Sequence, residues 1–508
     1  MPVQAIVKPN QYADSLSLMA LSTKVNELPY VTQAMIGMGT NLNKQVIAEV
    51  GLSTPEVEAA TPRDQIIVVE CDTAEDCATA LEQVEELRAQ GVAPTSGAAY
   101  RTSRAAMEAA APGGVVVISV PGEYAADEAR KALDAGRNVM LFSDNVALED
   151  EIALKRTAHE RGLLVMGPDC GTAVINGVGL CFANAVNRGP VGVVAASGTG
   201  SQELSVQVHA LGSGISQLLG VGGRDLSEDV GGIMMLDALA MLGADPATKV
   251  VILLSKPPAA SVAQRLIEAA GAVDKPVVVC FIGADAPAGL PDNVTFVGTS
   301  SEAALAAVRL ATGNDALARP ALDDVDVEAV RAAWTPGQTD IRGLFCGGTL
   351  CDEVFHAVRA RHANTFSNAV SLEGHVLAEG EALHDHSFID LGSDEYTQGR
   401  PHPMIDPTLR NAQILAQAAD PRTAVLLLDV ELGFGSHPDP AGAALPSIQE
   451  ATRIAAAAGR PLEIVAYVLG TDADSQGKAA QEAKLRDAGV HLVPTANDLA
   501  TLALRMIP

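Results

Sequence analysis

Short apolar runs, each followed by a stretch with helical periodicity, alternate along most of the chain. The runs are rich in Val, Ile and Leu and are bounded by Gly, Pro or Ser. Such runs are typical of buried strands, and Ala-rich amphipathic stretches such as 123–135 and 302–310 are typical of crossover helices. The pattern therefore predicts an α/β fold of parallel sheets with right-handed crossovers. The predicted strands are 66–70, 114–120, 138–143, 163–167, 190–196, 249–255, 276–282, 294–297, 343–346, 388–391, 424–429, 462–468 and 491–493.

Length and two interruptions of this pattern predict how the chain divides. At roughly 100–200 residues per domain, 508 residues suggest three or four domains. The stretch 183–189 separates two strand–helix units, and 313–340 combines prolines with an acidic run, which is typical of a linker. We therefore predict five segments. They are an N-terminal α/β unit at 1–95, further units at 96–186 and 187–315, a linker at 316–340 and a last unit at 341–508.

Charge and cysteine usage narrow the class of protein. The chain has 34 Lys plus Arg against 62 Asp plus Glu, a formal net charge of −28, which disfavours binding to nucleic acid. An anionic substrate would therefore need local N–H groups or a few placed cations. The seven cysteines are scattered without a CxxC pair, which is typical of a reduced, cytoplasmic protein without a metal site. We found no membrane span and no leader segment, so we expect a cytoplasmic protein.

The first candidate site follows the predicted strand 190–196. Small residues after a buried strand let the first N–H groups of the next helix point at one spot, with the helix dipole behind them. A phosphate or carboxylate would bind there. The alternative is a Ser/Thr N-cap with permissive glycines. The candidate binding residues are Ser197, Gly198, Thr199, Gly200 and Ser201.

A second glycine-led loop follows the predicted strand 343–346 and precedes a helix at 351–358. Its candidate binding residues are Gly347, Gly348 and Thr349. Two such loops, each opening a parallel-sheet unit, favour a pair of helix N-termini that converge on one anion. The alternative is an internal duplication kept for packing.

A third loop, again after a predicted strand, adds Asp169, Cys170, Gly171 and Thr172. Side chains at the carboxyl ends of parallel strands line the ligand crevice in α/β proteins, so these are candidate pocket residues. Cys170 is a candidate nucleophile, but no nearby histidine in the sequence activates it. A packed thiol is the interpretation that we favour.

The segment 390–407 mixes acids, Arg, His and three prolines, which predicts a rigid polar loop. Arg400, or Arg410 just beyond it, could bind a carboxylate, and His402 could transfer a proton. The alternative is a stiff loop whose ions pair with one another. Lys256, after the predicted strand 249–255, is a further cationic candidate.

His384 and His386 would share a face of an extended segment. No third ligand for a metal is evident, and we interpret both as surface histidines.

These motifs resemble the FdrA family, which is related to the α subunit of succinyl-CoA synthetase. The resemblance covers nearly the whole chain and is weaker before about residue 110. Long motifs in the same order carry it, which is far more specific than a single glycine loop. The motifs lie at 122–126, 142–152, 162–172, 196–200, 222–226, 255–258, 347–350 and 399–406.

The resemblance implies a Rossmann-like CoA-binding-type unit at 96–186, followed by two flavodoxin-like ligase units at 187–315 and 341–508. In the synthetases the two glycine-led helices flank a phosphohistidine. The corresponding segment here, 283–291, contains no histidine, and Ser255–Pro258 stands in place of the orienting glutamate. An ATP-grasp and a GxGxxG nucleotide loop are also missing.

FdrA proteins have been linked to allantoin breakdown within purine catabolism. The resemblance therefore implies that this chain is one subunit of an oxamate carbamoyltransferase, which it would form together with two companion proteins. Carbamoyl phosphate and oxamate would be the substrates, with phosphate at the two helix N-termini and Lys256 or Arg400 on the oxamate carboxylate. A hetero-oligomer with the companion subunits is expected, a homodimer being the other assembly considered. Two alternatives stay open. One is an acyl-CoA ligase, for which alone CoA or a nucleotide would be a cofactor. The other is a non-catalytic scaffold.

Overall fold

The computed structural model describes residues 2–11, 13, 15–26, 28–91, 100, 102–110, 113–323, 325–397 and 400–507. Its contacts divide the chain into two units. One comprises Met1–Ala106 with Thr397–Pro401, and the other comprises Met107–Tyr396 with His402–Pro508.

The first unit is built on a three-stranded antiparallel sheet in the order β1-β3-β2. The central strand is buried almost throughout because helices pack against the sheet. The sequence predicted only this central strand, since polar residues such as Thr32 and Gln33 interrupt the apolar pattern of the edge strand. Its strands are β1 Val3–Lys8, β2 Val31–Met38 and β3 Gln65–Cys71, and its helices are α1 Ser15–Asn26, α2 Asn41–Glu49, α3 Pro55–Ala59 and α4 Ala74–Gly91. Helix α5, Ser103–Ala109, spans the division between the units.

The second unit opens with a small parallel sheet in the order β4-β5-β6. Its crossover helix 122–134 buries an alanine-rich face, and the core continues into the next sheet. The elements are β4 Val115–Ile118, α6 Gly122–Asp134, β5 Asn138–Leu141, α7 Leu148–Arg161 and β6 Val165–Met166.

A seven-stranded sheet follows, in the order β13-β12-β11-β9-β10-β7-β8. Five of its strands run parallel, and an antiparallel hairpin that precedes residue 186 forms one edge. Its strands are β7 Thr172–Ile175, β8 Val178–Cys181, β9 Arg188–Ala195, β10 Ile215–Gly220, β11 Val250–Ser255, β12 Val277–Phe281 and β13 Val294–Val297. The helices are α8 Gly198–Ala210, α9 Ile233–Ala244, α10 Ala260–Gly271 and α11 Ser300–Thr312, with a 3-10 turn at Gly223–Leu226.

The last sheet has six parallel strands in the order β15-β16-β14-β17-β18-β19. Its strands are β14 Asp340–Phe345, β15 Thr365–Ser367, β16 His386–Asp390, β17 Thr423–Glu431, β18 Glu463–Leu469 and β19 His491–Val493. The helices are α12 Val327–Ala333, which lies inside the predicted linker, α13 Gly348–Arg359, α14 Asp394–Thr397, α15 Thr408–Ala419, α16 Pro440–Ala457, α17 Lys478–Asp487 and α18 Ala496–Met506.

The α/β prediction is confirmed for the second unit, whose central strands β11, β14 and β17 are buried along their whole length. Strands β11 and β17 contain continuous apolar runs, which is why the sequence showed them, whereas β14 contains Asp340 and Arg342 and was predicted only from residue 343. The carboxyl ends of these parallel strands are where a ligand crevice is expected. Within the described residues, we find no helix that is both long and apolar enough to span a membrane.

Candidate functional site

The N-termini of two helices meet at the carboxyl edge of the large sheets. Helix α8 begins after β9 with Ser197 as its N-cap, whose Oγ accepts a hydrogen bond from the N–H of Gly200 at 3.0 Å. Helix α13 begins after β14 with Gly347 as its N-cap and without a side-chain cap. The hydroxyls of Ser197 and Thr349 share a direct hydrogen bond. Two of the three predicted glycine loops are thus in contact, and the partly positive ends of both helices lie at one place.

The third predicted loop lies beside the first turn of α8. A Cβ added at Gly198 would lie 3.7 Å from the Cα of Gly171 and 3.8 Å from Oγ1 of Thr172. Thr172 itself donates to the carbonyl of Phe182 at 3.3 Å. The groups nearest to this end of α8 are therefore backbone and hydroxyl groups.

Cys170 is buried and its Sγ lies 3.6 Å from the carbonyl of Thr172. Burial raises the pKa of this thiol above its usual range. A neutral thiol inside the core is a poor nucleophile, which agrees with the packed role that the sequence favoured. Ser201 is also buried and donates to the carbonyl of Ser197 at 2.5 Å, so it supports the helix turn.

Carboxyl groups surround the N-terminus of α13. The carboxylate of Asp429, at the end of β17, accepts the N–H of Cys346 at 2.8 Å and that of Gly347 at 3.1 Å. A Cβ at Gly347 would lie 2.6 Å from Oε1 of Glu431, and a Cβ at Gly348 would lie 2.5 Å from Oδ2 of Asp390. Only glycine fits between these acids and the helix.

A buried guanidinium balances part of this negative charge. Nη1 of Arg410 donates to the carbonyl of Asp429 at 2.6 Å and to Sγ of Cys346 at 2.9 Å, and lies 3.4 Å from Oδ1 of Asp429. Burial, and then the neighbouring Asp429, raise the pKa of Glu431 well above its usual value. The two N–H donors and Arg410 make Asp429 the charged member of the pair, so the proton resides on Glu431.

Cys346, Asp429 and Glu431 offer ligand atoms within 4.8 Å of one another, a spacing that a metal ion could use. Arg410 already supplies a cation to this cluster, and burial raises the pKa of the Cys346 thiol well above its usual range. A neutral thiol beside a guanidinium is a poor metal ligand because metals bind the thiolate. The cluster therefore fits an internal ion pair better than a metal centre.

The partly exposed side of the site is formed by two residues, which we call its open side. They are Asp390, at the end of β16, and Lys256, which follows β11. Oδ1 of Asp390 accepts the N–H of Gly392 at 2.9 Å, and among the described residues none donates to its Oδ2. Burial raises the pKa of Asp390 to about 7, against the opposing effects of the Gly392 N–H and the Lys256 charge. Nζ of Lys256 donates to the carbonyl of Ala369 at 2.6 Å and lies 4.0 Å from a Cβ placed at Gly348.

His402 packs against the same turn. Its Nε2 lies 2.5 Å from a Cβ placed at Gly392, and its Nδ1 accepts the N–H of Met404 at 3.3 Å. Burial lowers the pKa of His402 to about 4. The ring is therefore neutral at pH 7 and carries its proton on Nε2, so it can donate a hydrogen bond but is a weak base.

Asp169 lies within electrostatic range of this turn. Desolvation, and then the carboxylates of Asp144, Asp394 and Asp390, raise its pKa to about 7. Arg400 is exposed and lies in the segment Thr397–Pro401, which belongs to the first unit. Arg410 is not free to bind a substrate carboxylate through Nη1, because that atom makes the internal contacts described above.

The segment 283–291 lies against α13. A Cβ at Gly283 would lie 2.6 Å from Nε2 of His356, a half-buried histidine whose Nε2 is 3.6 Å from Oδ1 of Asp352. Burial lowers the pKa of His356.

The interpretation of His384 and His386 as surface residues is half wrong. His384 is partly exposed and pairs with Glu381 and Asp385. His386 is buried in β16, where its Nδ1 accepts the N–H of Ile341 and burial lowers its pKa to about 4.

Sequence reasoning missed the three acids that define the α13 end. Asp390 was noted only as the first residue of a polar loop, and Asp429 and Glu431 were not considered. A signal was present, since β17 reads as an apolar run closed by Asp, Val and Glu. Residues two apart on a strand share a face, and a strand end in a parallel sheet faces the crevice.

A comparison of the whole chain with known proteins decides its family. The chain is 48% identical over 509 residues to YahF of Escherichia coli strain K12, and the match covers 100% of this chain and 99% of YahF. The chain belongs to the YahF family.

Three family models match parts of this YahF-family chain. Residues 1–105 match "AllF, heavy metal-associated domain", residues 186–283 match the CoA binding domain and residues 344–506 match the CoA-ligase family. Together they show an AllF-like N-terminal segment joined to CoA-binding and CoA-ligase domains of the succinyl-CoA synthetase type.

The residues of the first segment do not fit a heavy metal ion. Residues 1–105 contain no histidine and two cysteines, Cys71 and Cys77. Both thiols are buried, and Sγ of Cys77 donates to the carbonyl of Pro2 at 3.3 Å. Burial and the neighbouring Cys77 raise the pKa of Cys71 to about 12, which keeps it protonated. We assign no metal to this unit.

Relatives in the CoA-ligase superfamily match part of the chain. The α subunit of an ADP-forming succinate–CoA ligase from Archaeoglobus fulgidus is 29% identical over 215 residues, which is 42% of this chain and 72% of that protein. The α subunit of malate–CoA ligase from Methylorubrum extorquens is 29% identical over 198 residues, 37% of this chain and 65% of that protein.

A solved structure of an acetyl-coenzyme A synthetase from Ca. Korarchaeum cryptofilum, in complex with phosphate and ADP, covers 82% of this chain and 86% of its own length. The sequence identity is 18% and the TM-score 0.32, so this likeness carries no argument about the site.

Proposed function

We propose that the chain is a subunit of an oxamate carbamoyltransferase of allantoin breakdown, which transfers the carbamoyl group between carbamoyl phosphate and oxamate. The observation that supports this most is the contact between Ser197 and Thr349, which joins two helix N-termini at one open edge. The segment 283–291 contains no histidine that could take a phosphoryl group. A neighbouring histidine, His356 of α13, does lie beside Gly283, but a substrate that arrives already activated needs no histidine as a phosphoryl acceptor.

In the proposed reaction the amide nitrogen of oxamate attacks the carbamoyl carbon of carbamoyl phosphate. An N–C bond forms, the C–O bond to phosphate breaks, and oxalurate results. The nitrogen loses one proton, which leaves on the phosphate as HPO₄²⁻. No oxidant, reductant or metal enters this balance. The protein's task is to position both substrates and to stabilise the departing phosphate.

The groups around the two helices suit these tasks. The free N–H groups in the first turn of α8, with the hydroxyls of Ser197 and Thr349, would bind the phosphate. Lys256 would bind the oxamate carboxylate, because its ammonium lies on the open side of the α13 terminus. His402, neutral with a proton on Nε2, would donate a hydrogen bond to an oxygen in the reaction rather than remove a proton. The exposed Arg400 stays a second candidate for the carboxylate.

We also propose the assembly and setting. The chain would work in a hetero-oligomer with companion carbamoyltransferase subunits, in the cytoplasm, without nucleic acid or membrane. The domain boundaries at 95, 186, 315 and 340 are part of the same proposal.

The test is phosphate release from carbamoyl phosphate. It is measured with and without oxamate, on the full chain alone and mixed with the proteins encoded beside it. We expect phosphate release that depends on oxamate. Comparison of the chain alone with the chain plus its companions shows whether the companions are required. Absence of release in both mixtures, together with no rise in melting temperature with carbamoyl phosphate, would contradict the proposal.

An acyl-CoA ligase is the second candidate, favoured by the matches to CoA-binding and CoA-ligase families over 186–283 and 344–506. CoA-dependent phosphate release from ATP in the same assay would favour it. A chain that binds neither phosphate nor carbamoyl phosphate, but restores activity to its companions, would be a scaffold.

A further inference from the structure

The two helix N-termini in the candidate site are chemically different. At α8, the groups nearest to Gly198 and Gly200 are the Gly171 backbone, hydroxyls and methyl groups. At α13, Asp429 already accepts the N–H groups of Cys346 and Gly347. An anion bound at α8 would contact hydrogen-bond donors, whereas an anion bound at α13 would also contact carboxyl groups, which accept hydrogen bonds.

Asp390 presents the acceptor that a ligand can reach. Its Oδ1 is fixed by the N–H of Gly392 at 2.9 Å, so the orientation of the carboxyl group is set. Its Oδ2 lies against the backbone of Gly348 and accepts no hydrogen bond from the part of the chain that the structure describes. Asp390, Gly348 and Lys256 are all partly exposed, which leaves an opening at this point.

A second acid at the same terminus also has an unused acceptor. Glu431 is 2% exposed and is the protonated member of the pair with Asp429, to which it is hydrogen-bonded, so its carbonyl oxygen is the one without a donor among the described residues. It lies behind Gly347, next to the methyl group of Thr199. Buried polar groups are nearly always paired, so an acceptor-rich end of this kind fits a ligand group that brings N–H donors.

We propose that Asp390 is the specificity-determining residue that recognises the amino group of the carbamoyl moiety, while the phosphate of the same molecule lies at α8. This inference rests on the proposed function. It fixes the orientation of carbamoyl phosphate in the site. The phosphate would lie at the N–H groups of α8, and the NH₂ group would lie at Oδ2 of Asp390. The ammonium of Lys256, 4.0 Å from a Cβ placed at Gly348, would bind the carboxylate of oxamate.

Acetyl phosphate is the probe that isolates this contact. It replaces the amino group of carbamoyl phosphate by a methyl group of similar size and keeps the phosphate. A site built to hydrogen-bond an N–H group rejects an analogue without it, because the polar group of the protein is left unpaired. We expect the full chain to bind carbamoyl phosphate at least about tenfold more tightly than acetyl phosphate.

The variant Asp390→Asn tests the residue without changing its shape. The N–H of Gly392 would hold the amide oxygen in the place of Oδ1, so the amide NH₂ would take the place of Oδ2 and turn an acceptor into a donor. We expect the preference for carbamoyl phosphate to fall to about onefold, while inorganic phosphate binds at least as tightly as it does to the wild-type chain, because a partly negative carboxyl has been removed. Asp487→Asn, an exposed acid at the end of α17, is the matched control and should keep the preference.

Calorimetric titration of the three ligands into the full chain and into both variants distinguishes the outcomes. Equal affinity of the wild-type chain for carbamoyl and acetyl phosphate, or an unchanged preference in Asp390→Asn, would overturn this inference and leave the proposed function standing. Binding of none of the three ligands would overturn the proposed function and the inference with it.

Discussion

The loops that open α8 and α13 look like copies in the sequence but differ in the folded protein. Ser197 caps α8 with its own hydroxyl, and Gly347 begins α13 without any side-chain cap. The N–H groups at the start of α13 instead bind Asp429, a residue more than 80 positions away. The N–H groups of α8 are thus capped by a residue of the same loop, whereas those of α13 are bound by a residue at the end of the neighbouring strand β17.

This difference shows that a glycine loop does not determine its ligand alone. Both loops follow a buried parallel strand, and both place helix N–H groups at the sheet edge. At α8, Gly171 and Thr172 of the adjacent loop contribute backbone and hydroxyl groups, whereas at α13 the strands β16 and β17 contribute acids. The chemistry of a helix terminus in a parallel sheet is therefore set in part by the residues that end the strands beside it.

The largest expected effect comes from removing the acid that completes α13. Asp429→Asn takes away the charge beside the buried guanidinium of Arg410, and loss of one partner of a buried ion pair costs about 3–5 kcal/mol. Ser197→Ala, which removes only the cap of α8, should cost about 1 kcal/mol. Denaturant unfolding of both variants measures the free energies of unfolding, and equal costs would contradict the distinction between the two termini.

A methyl group at Gly347 should push the two termini apart. In Gly347→Ala the new Cβ would lie 2.6 Å from Oε1 of Glu431 and 2.8 Å from Cβ of Thr199, so the first turn of α8 or the acid must move. Overpacking of this kind costs about 1–3 kcal/mol, and we expect affinity for inorganic phosphate to fall on the order of tenfold or more. Titration with phosphate measures the affinity.

Gly298→Ala is the control for that variant, because nothing lies within 4 Å of a Cβ added there. Its phosphate affinity should equal that of the wild-type chain. If both alanine variants bound phosphate equally well, the two termini would not act on one ligand.

The sequence predicted much of the second unit because many of its strands, such as β11 and β12, are apolar runs. The strand predicted at 294–297 matches β13, and the strand predicted at 491–493 matches β19. The strand predicted at 424–429 is part of β17, which continues to Glu431. That extension matters, because an apolar run stops at the first acids and those acids form the site. The predicted strand therefore ended too early and left out Glu431, one of the acids of the site.

The remaining differences come from contacts between distant parts of the chain. Strand β7 has only four residues and is held in the seven-stranded sheet by antiparallel pairing with β10, which local periodicity does not show. Arg410 was considered for substrate binding because Arg suits carboxylates. Its actual partner, Asp429, lies on another element, and only the fold brings the two together.

The hydroxyls that join the termini should contribute unequally to binding. Ser197→Ala should raise the Michaelis constant for carbamoyl phosphate about tenfold, and Thr349→Val about threefold, because the phosphate would lie at α8 and Thr349 would contact it from the side. Steady-state kinetics on the active assembly measures both. Thr501→Val, at an exposed position of α18, should leave the constant unchanged. Unchanged constants in both site variants would contradict phosphate binding between the helices.

The smallest expected effect is a pH dependence of stability that comes from desolvated acids on both sides of the site, Asp169 and Glu203 among them with pKa values of about 7. Burial raises the pKa of Asp390 to about 7, and on α13 it raises that of Glu353 to about 8. Because these values lie above those of the unfolded chain, the folded state holds protons that the unfolded state has lost, and stability falls as pH rises toward and through the folded values. His386 and His402, with folded pKa values of about 4, act in the opposite direction, and their effect fades out by about pH 7.5, where the unfolded imidazole has lost its proton.

Between pH 6.5 and 8.5 the raised acids outweigh the two histidines, and the melting temperature should fall by roughly 5 °C. Asp390→Asn removes one of the titrating acids at the α13 terminus, so its melting temperature should fall by about 2 °C less over the same interval. Asp487→Asn should follow the wild-type chain. A melting temperature that rises over this interval, or an Asp390→Asn curve parallel to that of the wild-type chain, would show that Asp390 is not the desolvated acid at the terminus of α13.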